Sequence, residues 1–344
     1  MGVWKLTMLH IPKGRVRFGL TLANRSVLMG IAQPRDLLRM AEEAEASGLF
    51  EHVWAGDSLM AIPRLESITL LSAIAARTSR IRIGVGCMAS LPSRDPIVLA
   101  YQWASLDVLS GGRTILGACM GSPASREGHA REYRNTGITS KDRALRMEEN
   151  IIIMRKLWTE DSVTYEGHFH KLNDARVLPR PIQNPPPVWV VSNPRLQTAK
   201  AHIAERGLRR VARLGDGWMT TGNLIYPGAV EEFRELRRRI MEYSKEYSRD
   251  LTDFPCAVYY NVNINEDRSK AFDESKRYLE AYYSLPFSQN QVENWVALGP
   301  PAQCVEQIRK LMDVGFTDIL LGFPSWNPKE QFKRLVDKVL PKLD

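Results

Sequence analysis

Several clusters in this chain carry side chains capable of chemistry. Asp57 and Ser58 close one apolar run, Cys87 and Cys119 each precede a methionine, and His168-Phe169-His170 sets two imidazoles one residue apart. A hydrolytic metal site would need acidic ligands from other elements beside that histidine pair. None is in register, so the pair is expected on a surface hairpin. Thiols are capable nucleophiles. No histidine base is identifiable for Cys87 or Cys119, which are therefore expected as small packing residues. Gly84-Val85-Gly86 lacks the third glycine and the following helix of a dinucleotide fingerprint. A single clear carboxylate, Asp57, cannot supply the pair that glycoside hydrolysis requires.

The elements that must position these residues follow from periodicity. Arg17 to Leu22 reads as a strand, and Leu37, Met40, Ala41 and Ala44 then share one helical face between Pro34 and Gly48. Strand and helix alternate from there to the end. The later strands are Glu51–Ala55, Ile81–Ala89, Thr114–Ala118, Val188–Ser192, Trp218–Thr221, Ala257–Ile264 and Asp318–Phe323. The longest helix, Thr139 to Trp158, carries Met147, Ile151, Met154 and Trp158 on one side. A hairpin from Val163 to Leu172 and a less regular piece from Ser284 to Pro300 interrupt the pattern after strands four and seven. Helix five is expected over Gln197–Leu214.

Eight such units imply a parallel sheet closed into a (β/α)8 TIM barrel, with insertions after strands 4 and 7. A doubly wound open sheet is the alternative. No linker or composition shift divides the chain, so residues 1–344 are expected as one domain with a core of about 17–343. In a barrel the chemistry sits at the C-terminal strand ends. Those ends bring Asn24; Gly56, Asp57 and Ser58; Gly86, Cys87, Met88 and Ser90; Cys119 and Gly121; Ser192 and Asn193; Thr220 to Asn223; and Gly322-Phe323. Small residues and neutral hydrogen-bonders suit a wide planar ligand whose own chemistry does the work, as a flavin's does.

Composition agrees with a soluble globular protein. The 344 residues are 44% hydrophobic and 25% charged, close to globular averages. No apolar stretch approaches the roughly 20 residues of a membrane helix, and Met1 to Lys13 lacks the apolar region of a signal peptide. Four widely spaced cysteines without a CxxC fit a reducing cytoplasm. The net charge of +8 is concentrated in Arg209-Arg210 with Arg213 and in Arg237-Arg238-Arg239. Both runs lie in Glu-rich helical segments without interleaved aromatics, so solvated helix faces are expected, not nucleic acid.

One long run resembles a known family. Arg94-Asp95-Pro96-Ile97-Val98-Leu99-Ala100, continuing through Trp103-Ala104-Ser105-Leu106-Asp107 to Leu109-Ser110-Gly111-Gly112-Arg113 and Ile115-Leu116-Gly117, is similar to the signature of the bacterial luciferase-like flavin-dependent oxidoreductases. Thr78 to Gly84, Leu157 to Asp161, Tyr165-Glu166-Gly167, Leu178 to Pro181, Gly215 to Trp218 and Leu298 to Pro301 fit the same pattern, in consistent order from about Arg17 to Leu343.

The resemblance implies a TIM barrel that holds reduced FMN for a monooxygenase reaction with O2 on a small organic substrate, the flavin coming from a separate reductase. The alternative it implies is hydride transfer with coenzyme F420, and a second is a non-catalytic flavin-binding protein. It places a non-proline cis bond at Gly86-Cys87 or Cys87-Met88, under the flavin, and the cofactor phosphate near Ser192 and Asn193. It also implies a cytoplasmic homodimer paired through barrel helices, without metal. Many members carry histidine after the strand-two acid, where this chain has Ser58. Ser58 cannot act as an acid or base near neutral pH. Asp57 is then the first candidate for proton chemistry, and Arg94 for holding the cofactor or an anionic substrate. The substrate pocket is expected from Ser122–Ile138 and Ser284–Val296.

Overall fold

The computed structural model describes residues 16–123, 126–194, 196, 201–221 and 228–343. The expectations for Met1–Lys13, for the start of helix five at Gln197 and for Gly222-Asn223 lie outside the described residues.

Strands β1 (Arg17–Leu22), β2 (His52–Ala55), β3 (Arg82–Met88), β4 (Thr114–Ala118), β7 (Val188–Val191), β8 (Gly217–Thr221), β9 (Cys256–Ile264) and β11 (Asp318–Gly322) pair in parallel, in that order. β11 returns to β1, with Arg17 opposite Asp318, so the sheet closes into a (β/α)8 barrel. Helices α1 (Pro34–Ser47), α2 (Ser67–Arg77), α3 (Pro96–Ser110), α6 (Ala201–Leu214), α7 (Ala229–Glu246), α10 (Pro301–Val314) and α11 (Pro328–Lys338) are among those that surround it.

Local signals explain the boundaries. Pro34 opens α1, and Gly48 ends it at φ 67°, a left-handed conformation that glycine adopts without a Cβ clash. Asp95 caps α3 by accepting from the amides of Ile97 and Val98 at 2.9 Å, satisfying two otherwise orphaned donors. The apolar faces of the helices bury against the outward residues of the strands. The inside of the barrel is filled separately by Trp54, Ile115, Trp189, Met219, Ala257 and Leu320. A Cβ on Gly84 would lie 2.4 Å from the Trp54 ring, so the indole fits only because β3 has no side chain there.

Both insertions contain more regular structure than periodicity revealed. After β4 come α4 (Glu127–Thr136), α5 (Arg143–Thr159) and the hairpin β5 (Val163–Glu166) with β6 (Lys171–Ala175). The expected Thr139–Trp158 helix therefore begins four residues later, and α4 was read only as a variable piece. After β9 come α8 (Arg268–Tyr283), α9 (Gln289–Glu293) and β10 (Val296–Gly299). β10 pairs with the upper half of β9, Asn261 to Ile264, while Cys256 to Tyr259 pair with β8. The strand is long because it serves two neighbours in succession. Among the described residues, no helix is long and apolar enough to cross a membrane.

Candidate active site

A cavity of about 1270 Å³ opens at the C-terminal strand ends. Gly56, Asp57 and Ser58 from β2, Gly86 and Cys87 from β3, Cys119 and Gly121 from β4, and Ser192 and Asn193 from β7 line one side of it. The peptide bond Gly86-Cys87 is cis, the first of the two positions expected. Gly121 has φ 68°, and a Cβ there would lie 2.8 Å from the Tyr133 hydroxyl and 2.9 Å from the Ala89 carbonyl. Only glycine lets β4 turn into the cavity at that point.

Asp57 is held from four directions. Its Oδ1 accepts from Ser67 Oγ at 3.0 Å and Arg94 Nη2 at 2.9 Å, and its Oδ2 from the Ser90 amide at 2.9 Å and Ser90 Oγ at 2.6 Å. Arg94 also reaches Glu66 at 2.9 Å and Ser90 Oγ at 2.8 Å. The carboxylate thus ties the ends of β2 and β3 together. Ser58 Oγ accepts from the Ile62 amide at 2.9 Å, while Glu132 from α4 accepts from the amides of Met60 and Ala61 at 2.8 and 2.9 Å. These bonds fix the loop after β2.

Cys87 and Cys119 are not sealed in packing. Both are partly exposed toward the cavity, whereas Cys256 and Cys304 are buried. The interaction between the two thiols pushes the Cys87 pKa up and pulls that of Cys119 down. Burial opposes ionisation of Cys119; the Gly121 amide and the Arg143 guanidinium favour it.

The opposite wall is aromatic. Tyr259 from β9, Tyr283 at the end of α8 and Trp295 before β10 line the cavity. Tyr259 and Trp295 meet edge to face at 5.4 Å, and Trp295 Nε1 donates to the Tyr259 carbonyl at 3.0 Å. Burial raises the pKa of both tyrosines. Both are neutral hydroxyls near pH 7. The Arg64 guanidinium lies 5.6 Å from the Tyr282 ring centroid and donates from Nε to the Ile62 carbonyl at 3.1 Å. Arg25 donates to Ser284 Oγ at 3.3 Å; burial and then repulsion from Arg64 lower its pKa. Neither arginine has a carboxylate partner among the described residues.

Toward solvent the cavity becomes basic. Its lining contains seven Arg or Lys side chains against two carboxylates, Asp57 and Glu148. Arg210 and Arg213 pair with Glu148 and Arg209 with Glu246, while Arg126, Lys141 and Arg206 form no ion pair among the described residues.

The structure therefore assembles Asp57, Ser58, Gly86, Cys87, Cys119, Gly121, Ser192 and Asn193 around one space, as expected from the strand ends. It sets three expected cofactor residues back from it. Met88 points to the opposite face of β3, into the core between strands and helices. Asn24 is fully buried, its Nδ2 donating to the carbonyls of Gly56 and Leu65 at 2.8 Å. Arg94 stands behind Asp57 in the ion pairs already described. Asn193 accepts from Thr220 Oγ1 at 2.8 Å and the Thr221 amide at 3.0 Å, and the Ser192 hydroxyl sits beside Gly207 of α6.

The arginines of the 209–213 run differ from the expected solvated face. α6 lies beside α5, so Arg209, Arg210 and Arg213 border the cavity; Arg238 and Arg239 do pair with glutamates along an exposed α7 face. Sequence reasoning missed Tyr259, Tyr283 and Arg64. Tyr259 sits in the middle of an unusually long strand, where a reading of strand ends does not look. The hairpin does carry the histidine pair, with Glu149 accepting from the amides of residues 168–170. Among the described residues, no three His, Cys, Asp or Glu side chains converge as a metal would require.

Residues 16–318 match the sequence pattern of a family described as luciferase-like monooxygenase. An F420-dependent glucose-6-phosphate dehydrogenase of Amycolatopsis mediterranei is 26% identical over 328 residues, spanning 90% of this chain and 95% of its own. The fold superposes on an F420-dependent secondary alcohol dehydrogenase bound to an F420–acetone adduct with a TM-score of 0.77 at 17% identity, covering 96% of this chain and 99% of the other. It also superposes on a monooxygenase from Streptomyces bottropensis, with a TM-score of 0.73 at 22% identity over 95% of this chain and all of that one.

Proposed function

This chain belongs to the luciferase-like monooxygenase family, and on that premise we propose that it is an F420-dependent oxidoreductase acting on a small anionic organic substrate. The observation that carries this reading is the charge of the outer cavity. A single cofactor phosphate needs one anion cradle, whereas the six outer cations Arg126, Lys141, Arg206, Arg209, Arg210 and Arg213 against the one carboxylate Glu148 suit the long polyanionic tail of F420. The F420-dependent relative, matched over 95% of its length, supports the same choice. F420, when bound, gives up or accepts a hydride without oxygen chemistry.

The residues fit such a group. Gly86, Cys87, Cys119 and Gly121 form a floor with little side-chain bulk for a planar ring, and Ser192, Asn193, Lys141 and Arg206 face the tail. Asp57 and Arg94 act as positioning residues that hold the floor. The substrate lies against Tyr259, Tyr283 and Trp295, where the neutral Tyr283 hydroxyl donates a hydrogen bond to the substrate oxygen. Two neighbouring arginines without an acid, Arg25 and Arg64, favour an anionic substituent. A phosphorylated sugar, as in the name of the relative, meets that requirement.

The test is a parallel titration with F420, oxidised FMN and reduced FMN, followed by glucose 6-phosphate and glucose as substrates. Tightest binding of F420, weakening steeply with salt, and reduction by the phosphorylated sugar alone are the expected results. Preference for reduced FMN with O2 consumption would instead restore the monooxygenase reading that the sequence places first. Binding of either cofactor without turnover across a broad substrate panel would leave the non-catalytic one.

The expected homodimer also has a candidate surface. α3 exposes Ile97, Val98, Tyr101, Val108 and Leu109, an outer face of large apolar side chains on a helix whose inner face is already buried. We place the pairing there.

A further inference from the structure

Beyond hydride transfer, we propose that Cys87 and Cys119 form an oxidisable dithiol in the cavity floor, a modification site that a peroxide converts reversibly to an internal disulfide.

The argument starts from placement. Cys87 lies on β3 and Cys119 directly follows β4, its neighbour in the sheet, and a Cβ on Gly117 of β4 would be only 3.6 Å from Cys87 Cα. Cys119 is two residues beyond Gly117, and both cysteines line the same cavity. The two thiols act on each other, and both border the 1270 Å³ cavity, through which a small oxidant can reach them.

The other two cysteines show what ordinary packing thiols look like here. Cys256 and Cys304 are 1% and 0% exposed, and each donates to a backbone carbonyl, of Phe254 and Gly299. Burial pushes both up to about 12. The cavity pair differs in exposure, in having each other as partners and in polarity. The Cys87 thiol, the Gly121 amide and the nearby Arg143 all favour the anionic form of Cys119. A thiolate is the reactive species toward peroxides.

The chemistry is balanced. The Cys119 thiolate attacks one oxygen of hydrogen peroxide, breaking the O–O bond and forming a sulfenic acid, while the departing hydroxide takes up a proton to become water. The Cys87 sulfur then attacks the sulfenic sulfur, loses its proton and expels a second water. The two thiols lose two electrons, which reduce the peroxide. A dithiol reductant reverses the step by exchange. Because the sulfurs border the place where a planar cofactor would rest, oxidation alters the surface that holds it. This last consequence rests on the F420 reading; the disulfide itself does not.

The experiment uses the full chain. Reduced protein is treated with limited hydrogen peroxide, free thiols are blocked, and the non-reduced tryptic digest is analysed by mass. Cys87 lies in the peptide Ile83–Arg94 and Cys119 in Thr114–Arg126, one cysteine in each. The expected product is these two peptides joined, restored to separate peptides by dithiothreitol, with Cys256 and Cys304 unoxidised. Cys119→Ser should slow oxidation of Cys87 by about tenfold or more, and Cys87→Ser should leave Cys119 as a trapped sulfenic acid. Independent oxidation of the two sites, or no joined peptide at excess peroxide, would overturn the proposal. Titration of both forms with F420 should show at least about tenfold weaker binding to the oxidised one, a difference of about 1.4 kcal/mol. Equal affinity overturns the effect on binding. If the reduced protein binds no F420, it is the function reading that fails, and the peptide result still judges the dithiol.

Discussion

Arg94 Nη2 stands 2.9 Å from Asp57 Oδ1, with the two side chains 13% and 2% exposed. A carboxylate this deeply buried needs its partner, since an unpaired charge in a low-dielectric site is costly. The pair locks the turn after β2 to the loop after β3, and so fixes the height of the cavity floor.

Arg94→Ala should therefore destabilise the protein by about 3 kcal/mol, read as a lower urea midpoint at unchanged slope. Any loss of cofactor affinity should be regained in part by Arg94→Lys. A change below about 0.5 kcal/mol, the size usual for surface sites, would show that the serines alone hold Asp57.

Acid stability should depend on Asp318. Burial would raise its pKa, but hydrogen bonds and charge from His52 and Arg17 overcome that and hold it at about 2. His52 Nε2 is 3.0 Å and Arg17 Nη2 2.5 Å away. A depressed carboxyl contributes stability above its unfolded value near 4 and loses it as pH falls toward about 2. Asp318→Asn should cost roughly 2–3 kcal/mol at neutral pH, and the difference from the parent should vanish near pH 2. Thermal melts across that range decide it.

Tyr283→Phe keeps the aromatic wall and removes the hydroxyl. With F420 and the phosphorylated sugar, kcat should fall by about tenfold, the loss of one hydrogen bond to the substrate oxygen, with little change in KM. A rise in KM at constant kcat would give Tyr283 a binding role only. Arg64→Gln should do the opposite, raising KM for the phosphorylated substrate more than it lowers kcat.

Val98→Glu on the exposed face of α3 should convert a dimer to a monomer without changing Tm by more than a few degrees. Light scattering after size exclusion measures this. A monomeric parent protein would remove the α3 assignment.

How much of this was legible in the sequence differs from element to element. The strands and their helices show in local periodicity because each amphipathic stripe must face one core, whatever the neighbours are. Asp57, Cys87, Cys119 and Ser192 are legible as strand-end residues, since barrel closure carries every such end to one rim. Helix α4 and strand β10 escaped because both are short and polar or irregular in pattern, stabilised by packing onto the rim.

The chain by itself determined the order of elements, the family and the set of residues that could reach the mouth, all of which follow from pattern within a few turns of chain. The tertiary structure decided which of them face the cavity and which hold others in place. Asp57 takes its partners from 10, 33 and 37 residues away, Tyr259 meets Tyr283 across an insertion, and Cys87 meets Cys119 across a strand pair. Such contacts depend on register and closure, and no local propensity encodes them.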